Sequence, residues 1–308
     1  MDYYTETGER PELAALEVNP PEGYIGDKIM PVATVDQKTG TVYYNNIDTD
    51  VAAQTGRGTG SAPTATNIAG TSTTFTCAEA IKRGTISPDE AKTLGGVDKA
   101  DLVGAKFAKR SVMNARETAI ATIVLGTADD TYDSAKLMEQ AQDGLDAIRR
   151  YEGHTALVGG TMTLKLVVQN LLNDSATAPL FQRLVAGSSP AVAAAGMSFN
   201  AWMNALALYL GVDEVLAGDS SIWNAAGTTA EKIGIVKMDP DPTDPLSFKW
   251  RPVFGRTFQF LPDGVQPYHV ETAADRVNIL NLYTAKMWYN AVEFNSSAVY
   301  VLGGVVSG

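Results

Sequence analysis

Two hydrophobic spacings divide the chain. Up to about residue 86 apolar residues come in short β-branched runs, and from Lys99 they return every three or four positions. "IMPVATV" (29–35) and "TVYYN" (41–45) flank Asp36-Gln37-Lys38-Thr39-Gly40, a loop with Gly where a positive φ is wanted, and this predicts a hairpin. "TSTTFTCAEAIKRGTIS" (71–87) is Thr-rich and strand-like. An outgoing strand near 41–47 and a returning strand near 72–83 then form a long projecting ribbon. Two strands alone are marginal, so such a ribbon needs further contacts.

Ser87 opens a capped helical turn with Pro88 at its first position and acids behind it. "KADLVGAKFAKRSVMNARETAIATIVLG" (99–126) predicts a helix roughly 40 Å long at 1.5 Å per residue. Its expected apolar stripe is Val103, Phe107, Met113, Ile120 and Val124. From Ser134 helices alternate with short buried strands. "SAKLMEQAQDGLDAIRRYEG", "TLKLVVQNLLND" and "APLFQRLVAG" read as helices, and "TALVGG" and "DEVLAGD" as strands. In "SFNAWMNALALYLG" (198–211), Phe199, Trp202, Met203, Leu206, Tyr209 and Leu210 share one helical stripe, with Ser198 as N-cap and Gly211 as C′. The last seventy or so residues are β-rich, ending in "AVYVLGGVV".

Composition changes this picture in one place. Between Val51 and Ala78 the only charged side chain is Arg57, and between residues 55 and 74 the one bulky aliphatic residue is Ile68. This stretch at the ribbon tip can neither build a core nor behave as a charged tail. Overall the 308 residues carry a net charge of −11, with acids leading the first seventeen positions. That balance argues against direct phosphate-gripping nucleic-acid binding. Leu184 to Val212 is uncharged, but Ser188, Ser189, Pro190 and Gly196 interrupt it and its second half is amphipathic, so a buried helix is expected there and not a membrane span.

Candidate chemistry is sparse. Cys77 is the only cysteine, which excludes an intrachain disulfide. His154 and His269 are far apart and carry no companion motif. "GRGTG" (56–60) lacks the Gly-Lys-Ser/Thr ending of a phosphate loop. "MDPDPTDP" (238–245) misses the calcium-loop pattern, since counting from Asp239 positions six and twelve hold Asp244 and Trp250; a solvated acidic turn is expected, with a loose surface cation as the alternative. No catalytic, cofactor or metal residues are assigned.

The order of these elements resembles the major capsid proteins of tailed double-stranded DNA bacteriophages, the Hong Kong 97-type fold. "YIGDKIMPVATVDQKTGTVYYNN" is similar to the opening of their E-loop, and "FTCAEAIKRGTISPDEA" to its return into the P-domain. Arg116-Glu117 stands where the spine helix of that family often carries Arg-Glu, and "VFGRTFQF", "ETAADRVNILNLY" and "VYVLGGVV" are similar to its C-terminal β segments. The resemblance implies an α+β fold with an N-terminal arm (1–29), an E-loop (30–84), a P-domain with its spine helix (85–130), an A-domain (131–250) and a β-rich return ending in the A-domain (251–308). It further implies a structural shell protein that assembles with itself as pentamers and hexamers around double-stranded DNA, in a virion put together in the host cytoplasm. A separate scaffolding protein, a portal and decoration proteins are the implied partners; no cofactor and no membrane are. Arg57, Ile68 and Phe75 are the candidate inter-subunit contacts. No Lys lies between Lys38 and Lys82, so the Lys-mediated E-loop cross-link of some members is chemically unavailable. The few residues before the hairpin imply no built-in scaffolding segment. An encapsulin-type compartment is the alternative within the fold, and an α/β enzyme the alternative outside it.

Overall fold

A computed structural model describes residues 8–9, 23–46, 71–175, 177–186, 198–223, 231–249, 251–262, 267–275 and 280–305. The N-terminal part supplies β1 (Gly8–Glu9), the short α1 (Gly26–Ile29), β2 (Val32–Val35) and β3 (Thr39–Tyr44). After it come β4 (Thr71–Thr76), β5 (Ala78–Ile86), α2 (Pro88–Thr93) and the 28-residue α3 (Val97–Val124). The central part holds β6 (Asp130–Thr131), α4 (Leu137–Ile148), β7 (Thr155–Gly160), α5 (Thr161–Asn173), α6 (Ala178–Ala186) and α7 (Phe199–Leu210). Then follow β8 (Glu214–Gly218), α8 (Ser220–Trp223), β9 (Glu231–Lys237), β10 (Gly255–Phe260), β11 (His269–Asp275), β12 (Leu280–Glu293) and β13 (Val299–Val305).

The described strands form three sheets. The first runs β1-β11-β12-β10-β2, with β5 also paired to β12 over nine residues. The second runs β6-β13-β9-β7-β8, and the third is the β3–β4 ribbon. β7 is buried along its whole length, as a strand covered on both faces must be.

The expected hairpin at 29–45 does not form. β2 pairs parallel with β10, Val32 opposite Thr257, while β3 pairs antiparallel with β4, Thr39 opposite Thr76. The bend at residues 36–38 therefore passes the chain from one sheet to another. The returning strand is likewise divided at Cys77, its first half in the ribbon and its second in the large sheet.

α3 joins the two layers, and it does so on two different faces. In its first half Ala100, Ala105, Ala108 and Val112 pack on Val270, Tyr283, Ala285 and Met287 of the large sheet. The fit is close: a Cβ on Gly104 would lie 2.2 Å from the Tyr283 ring, whose hydroxyl donates to Asp101 at 2.6 Å. In its second half Ile120, Ala121 and Val124 join the main core with Ile29, Met30, Leu157 and Ile233. At 100° per residue the two buried stripes point roughly 150° apart. The expected single stripe follows the second half only. Val103 and Phe107 are 45% and 60% exposed, because the first half buries small residues that let helix and sheet approach.

Helix ends follow local sequence rules. Ser87 and Glu90 form a reciprocal capping box. Ser198 accepts from the Ala201 amide, and Gly211 closes α7 at φ 72, the left-handed region.

Candidate assembly site: the ribbon root and its latch to the long helix

The ribbon has almost no core of its own: along β3 and β4 only Val42 and Phe75 are buried. Its root is fixed by an aromatic cluster. Phe75 stacks on Phe258 at 4.7 Å, Tyr44 on Phe294 at 4.9 Å, and Phe248 packs edge-on against Phe258. Gly40 is required opposite Phe75, since a Cβ there would sit 2.8 Å from its ring. Backbone and amide bonds lock the same point. The Cys77 amide donates to the Lys38 carbonyl at 2.7 Å, the Asn45 amide to the Phe248 carbonyl at 3.0 Å, and Asn290 Nδ2 to the Thr76 carbonyl at 2.8 Å. Asn295 Nδ2 reaches the Val253 carbonyl at 2.7 Å and that of Asn45 at 3.3 Å. A ribbon without a core thus leaves the body from a rigid base.

Just before the ribbon the chain is latched to α3. Glu117 Oε1 accepts from the Ile25 amide at 2.7 Å, the Gly26 amide at 2.9 Å and Trp223 Nε1 at 2.9 Å. These donors lie about ninety and a hundred residues away in sequence, so one carboxylate ties the ribbon's approach, the long helix and α8 together. Glu117 is 1% exposed and Trp223 fully buried. Burial raises the Glu117 pKa, the three donors oppose that rise, and Asp27 adds to it. Beside it Arg116 Nη2 donates to Asp27 Oδ2 at 2.5 Å. Arg116-Glu117 was singled out in the sequence only by resemblance; the buried, bonded state of Glu117 is the physical reason for an acid there.

The acidic turn is built around a cation after all, and it is one from the chain itself. Arg256 and Asp239 form a fully buried ion pair at 2.6 Å. Arg256 Nη2 also donates to Ser247 Oγ at 2.6 Å and to the Asp244 carbonyl at 2.6 Å, while Ser247 Oγ donates to Asp239 Oδ2 at 2.6 Å. Asp239 is therefore not solvated, which corrects the expectation for 238–245. Among the described residues no group of three His, Cys, Asp or Glu could hold a metal ion.

Of the candidate contact residues, Arg57 and Ile68 lie outside the described residues, as does "GRGTG". Phe75 is 7% exposed and belongs to the interior of its own chain, so its ring anchors the ribbon root. Burial pushes the Cys77 thiol up, and its Sγ lies 3.6 Å from the Phe258 carbonyl, a packed thiol and not an activated nucleophile. His154 lies 4.0 Å from Asp213 on the exposed surface. His269 lies 3.4 Å from Glu271, which also takes Lys286 at 2.5 Å. Among the described residues no helix is long and apolar enough to cross a membrane.

No protein-family model and no curated protein sequence matches the chain. Solved structures do. A phage-related protein from Bordetella bronchiseptica RB50 superposes with a TM-score of 0.63 at 16% identity, over 99% of this chain and 100% of that one. The capsid of an empty GTA particle gives 0.51 at 14% identity, covering 94% and 99%. The holo-SrpI encapsulin complex from Synechococcus elongatus PCC 7942 gives 0.51 at 8% identity, covering 96% and 93%. The chain has the mixed helix-and-sheet fold of phage capsid subunits, a fold in which the encapsulin also falls. At these identities the likeness is one of fold.

Proposed function

We propose that this chain is the major head protein of a tailed phage or prophage. It assembles with itself through pentamers and hexamers into an icosahedral shell that encloses double-stranded DNA. The observation that carries the reading is the nearly end-to-end fold match to the capsid of an empty GTA particle, over 94% of this chain and 99% of that one, beside the match to a phage-related protein over 99% and 100%. The rigid root of an otherwise coreless ribbon supports it. We assign residues 1–29 to the N-arm, 30–84 to the E-loop, 85–130 to the P-domain, 131–250 to the A-domain and 251–308 to the return. The E-loop lies over a neighbouring subunit, where its small uncharged residues gain the contacts that two strands lack alone. Arg57 is its polar anchor to a neighbour's carboxylate, and Ile68 its apolar one. Phe75 holds the loop in place from within its own subunit. The shell is non-covalent at the E-loop, because no Lys lies between Lys38 and Lys82. Scaffolding, portal and decoration proteins are its expected partners. The role is structural and not enzymatic, and its place is the virion, assembled in the host cytoplasm.

An encapsulin-type compartment is the second reading, favoured by one structural neighbour at a TM-score of 0.51. The two part on contents. Particles from cells carrying the whole gene neighbourhood should hold nuclease-protected double-stranded DNA. Particles that instead enclose a co-encoded enzyme and no DNA support the compartment. A persistent compact monomer refutes both.

A further inference from the structure

The first half of α3 carries an outward face that nothing in the described chain covers. Lys99, Val103, Lys106 and Arg110 recur at i, i+4, i+7 and i+11 and so lie on one stripe, with Phe107 beside it. Lys99, Val103, Lys106, Phe107 and Arg110 are all exposed. The stripe holds three cations and no acid, and none of the three forms an ion pair among the described residues. It is also the same side of the helix that, one turn after another further on, is buried by Met113, Glu117, Ile120 and Val124. A side of the helix that the chain buries in one half is left bare in the other.

Its complement is on the same molecule. Residues 129–146 carry Asp129, Asp130, Asp133, Glu139, Asp143 and Asp146 against one cation, Lys136. The first three are spent locally, on the Val301 amide, on Gln140 and on the Ala135 amide. The last three form no ion pair among the described residues. Glu139, Asp143 and Asp146 recur at i, i+4 and i+7 on the exposed face of α4, with the half-exposed Met138 next to them. Within the chain the two stripes form no ion pair with each other among the described residues. We propose that they meet between subunits: the Lys99–Arg110 stripe of one copy docks on the Glu139–Asp146 stripe of the next.

The two stripes share one helical pitch and opposite charge, which sets both partner and register. Phe107 and Val103 on one side and Met138 on the other supply apolar area that the charges alone lack. Because the joined patches differ, the contact is head-to-tail, the type that closes into rings. This rests on the self-assembly reading above and names the surfaces that carry it.

The test is charge reversal with restoration in the full-length protein. K106E/R110E and D143K/D146K each place like charges in contact, and assembly followed by light scattering near 0.1 M salt should need at least about tenfold more protein. The milder K106Q/R110Q and D143N/D146N should fall between these and the parent. The fourfold variant K106E/R110E/D143K/D146K should recover to within about threefold of the parent, since every contact then carries the exchanged pair. All positions are exposed, so far-UV circular dichroism and melting should be unchanged. Reversals that assemble like the parent, or a fourfold variant as defective as either double, overturn the pairing while leaving the shell reading intact. A parent protein that never assembles overturns both.

Discussion

Replacing Glu117 by Ala probes how the ribbon's approach is held to the long helix. The change leaves the amides of Ile25 and Gly26 and the indole N–H of Trp223 without the acceptor they now share. Each buried donor left unpaired costs about 1–3 kcal/mol. Against that sum stands the relief of removing a buried carboxylate, whose raised pKa reports the cost of its desolvation. The lost side chain also leaves space beside Ile120 and Gly26, where Glu117 Oε2 now lies 2.6 Å from the position of an added Cβ. We expect a net loss of about 2–4 kcal/mol, in the range of a broken buried network. Glu117→Gln keeps an acceptor oxygen in place and should lose no more than about 1.5 kcal/mol. Urea unfolding of the unassembled subunit, followed by Trp fluorescence, measures both, and Trp223 is a direct reporter of the latch. Native-state hydrogen exchange should show the Ile25 and Gly26 amides released first in the Ala variant. Equal stability of parent and Glu117→Ala, or a Gln variant as damaged as the Ala variant, refutes the reasoning.

Other consequences are as direct. Because burial raises the Glu117 pKa above its unfolded value, the folded state favours the protonated acid. Its contribution to stability is fully present below the ordinary Glu range and is lost as pH rises through the folded pKa, so the Gln variant should gain on the parent as pH rises above the ordinary Glu range; a pH-independent difference contradicts this. Phe75→Ala should cost about 3–5 kcal/mol as a buried aromatic deletion and raise exchange along β3 and β4 selectively, as read by hydrogen–deuterium exchange. Asp239→Ala strands the buried Arg256 guanidinium and should cost about 3–5 kcal/mol in urea unfolding, whereas added Ca²⁺ should leave the parent's melting unchanged.

What could be read from the sequence depended on how local the cause was. The Ser87 and Ser198 caps and the Gly211 stop rest on a few adjacent residues, and they stand where local chemistry puts them. β7 was legible from its unbroken apolar run. The hairpin at 29–45 was misread because a Gly-containing loop between two β-prone runs does not say which strands they join; β2 is claimed by β10, more than two hundred residues on. The α3 stripe was misread because periodicity assumes one buried face, and this helix has two; its first half packs through Ala and Gly, which leave no hydrophobic signal. The acidic turn hid its partner for the same reason of distance, with Arg256 arriving from β10. Phe75 could be picked out as the aromatic residue that follows the 55–74 stretch, but its place at the ribbon root, stacked on Phe258, is a tertiary fact.

In the proposed function the ribbon tip works in trans, on a neighbouring subunit. Its most direct test is electron microscopy of the full-length protein beside a variant in which residues 55–70, which lie outside β3 and β4, are replaced by a short Gly-Ser link, with melting curves of both. The full-length protein should give uniform shells, and the variant a subunit that melts at the same temperature yet forms no stable shell. Intact shells without the tip, or a variant subunit that no longer folds, would contradict it.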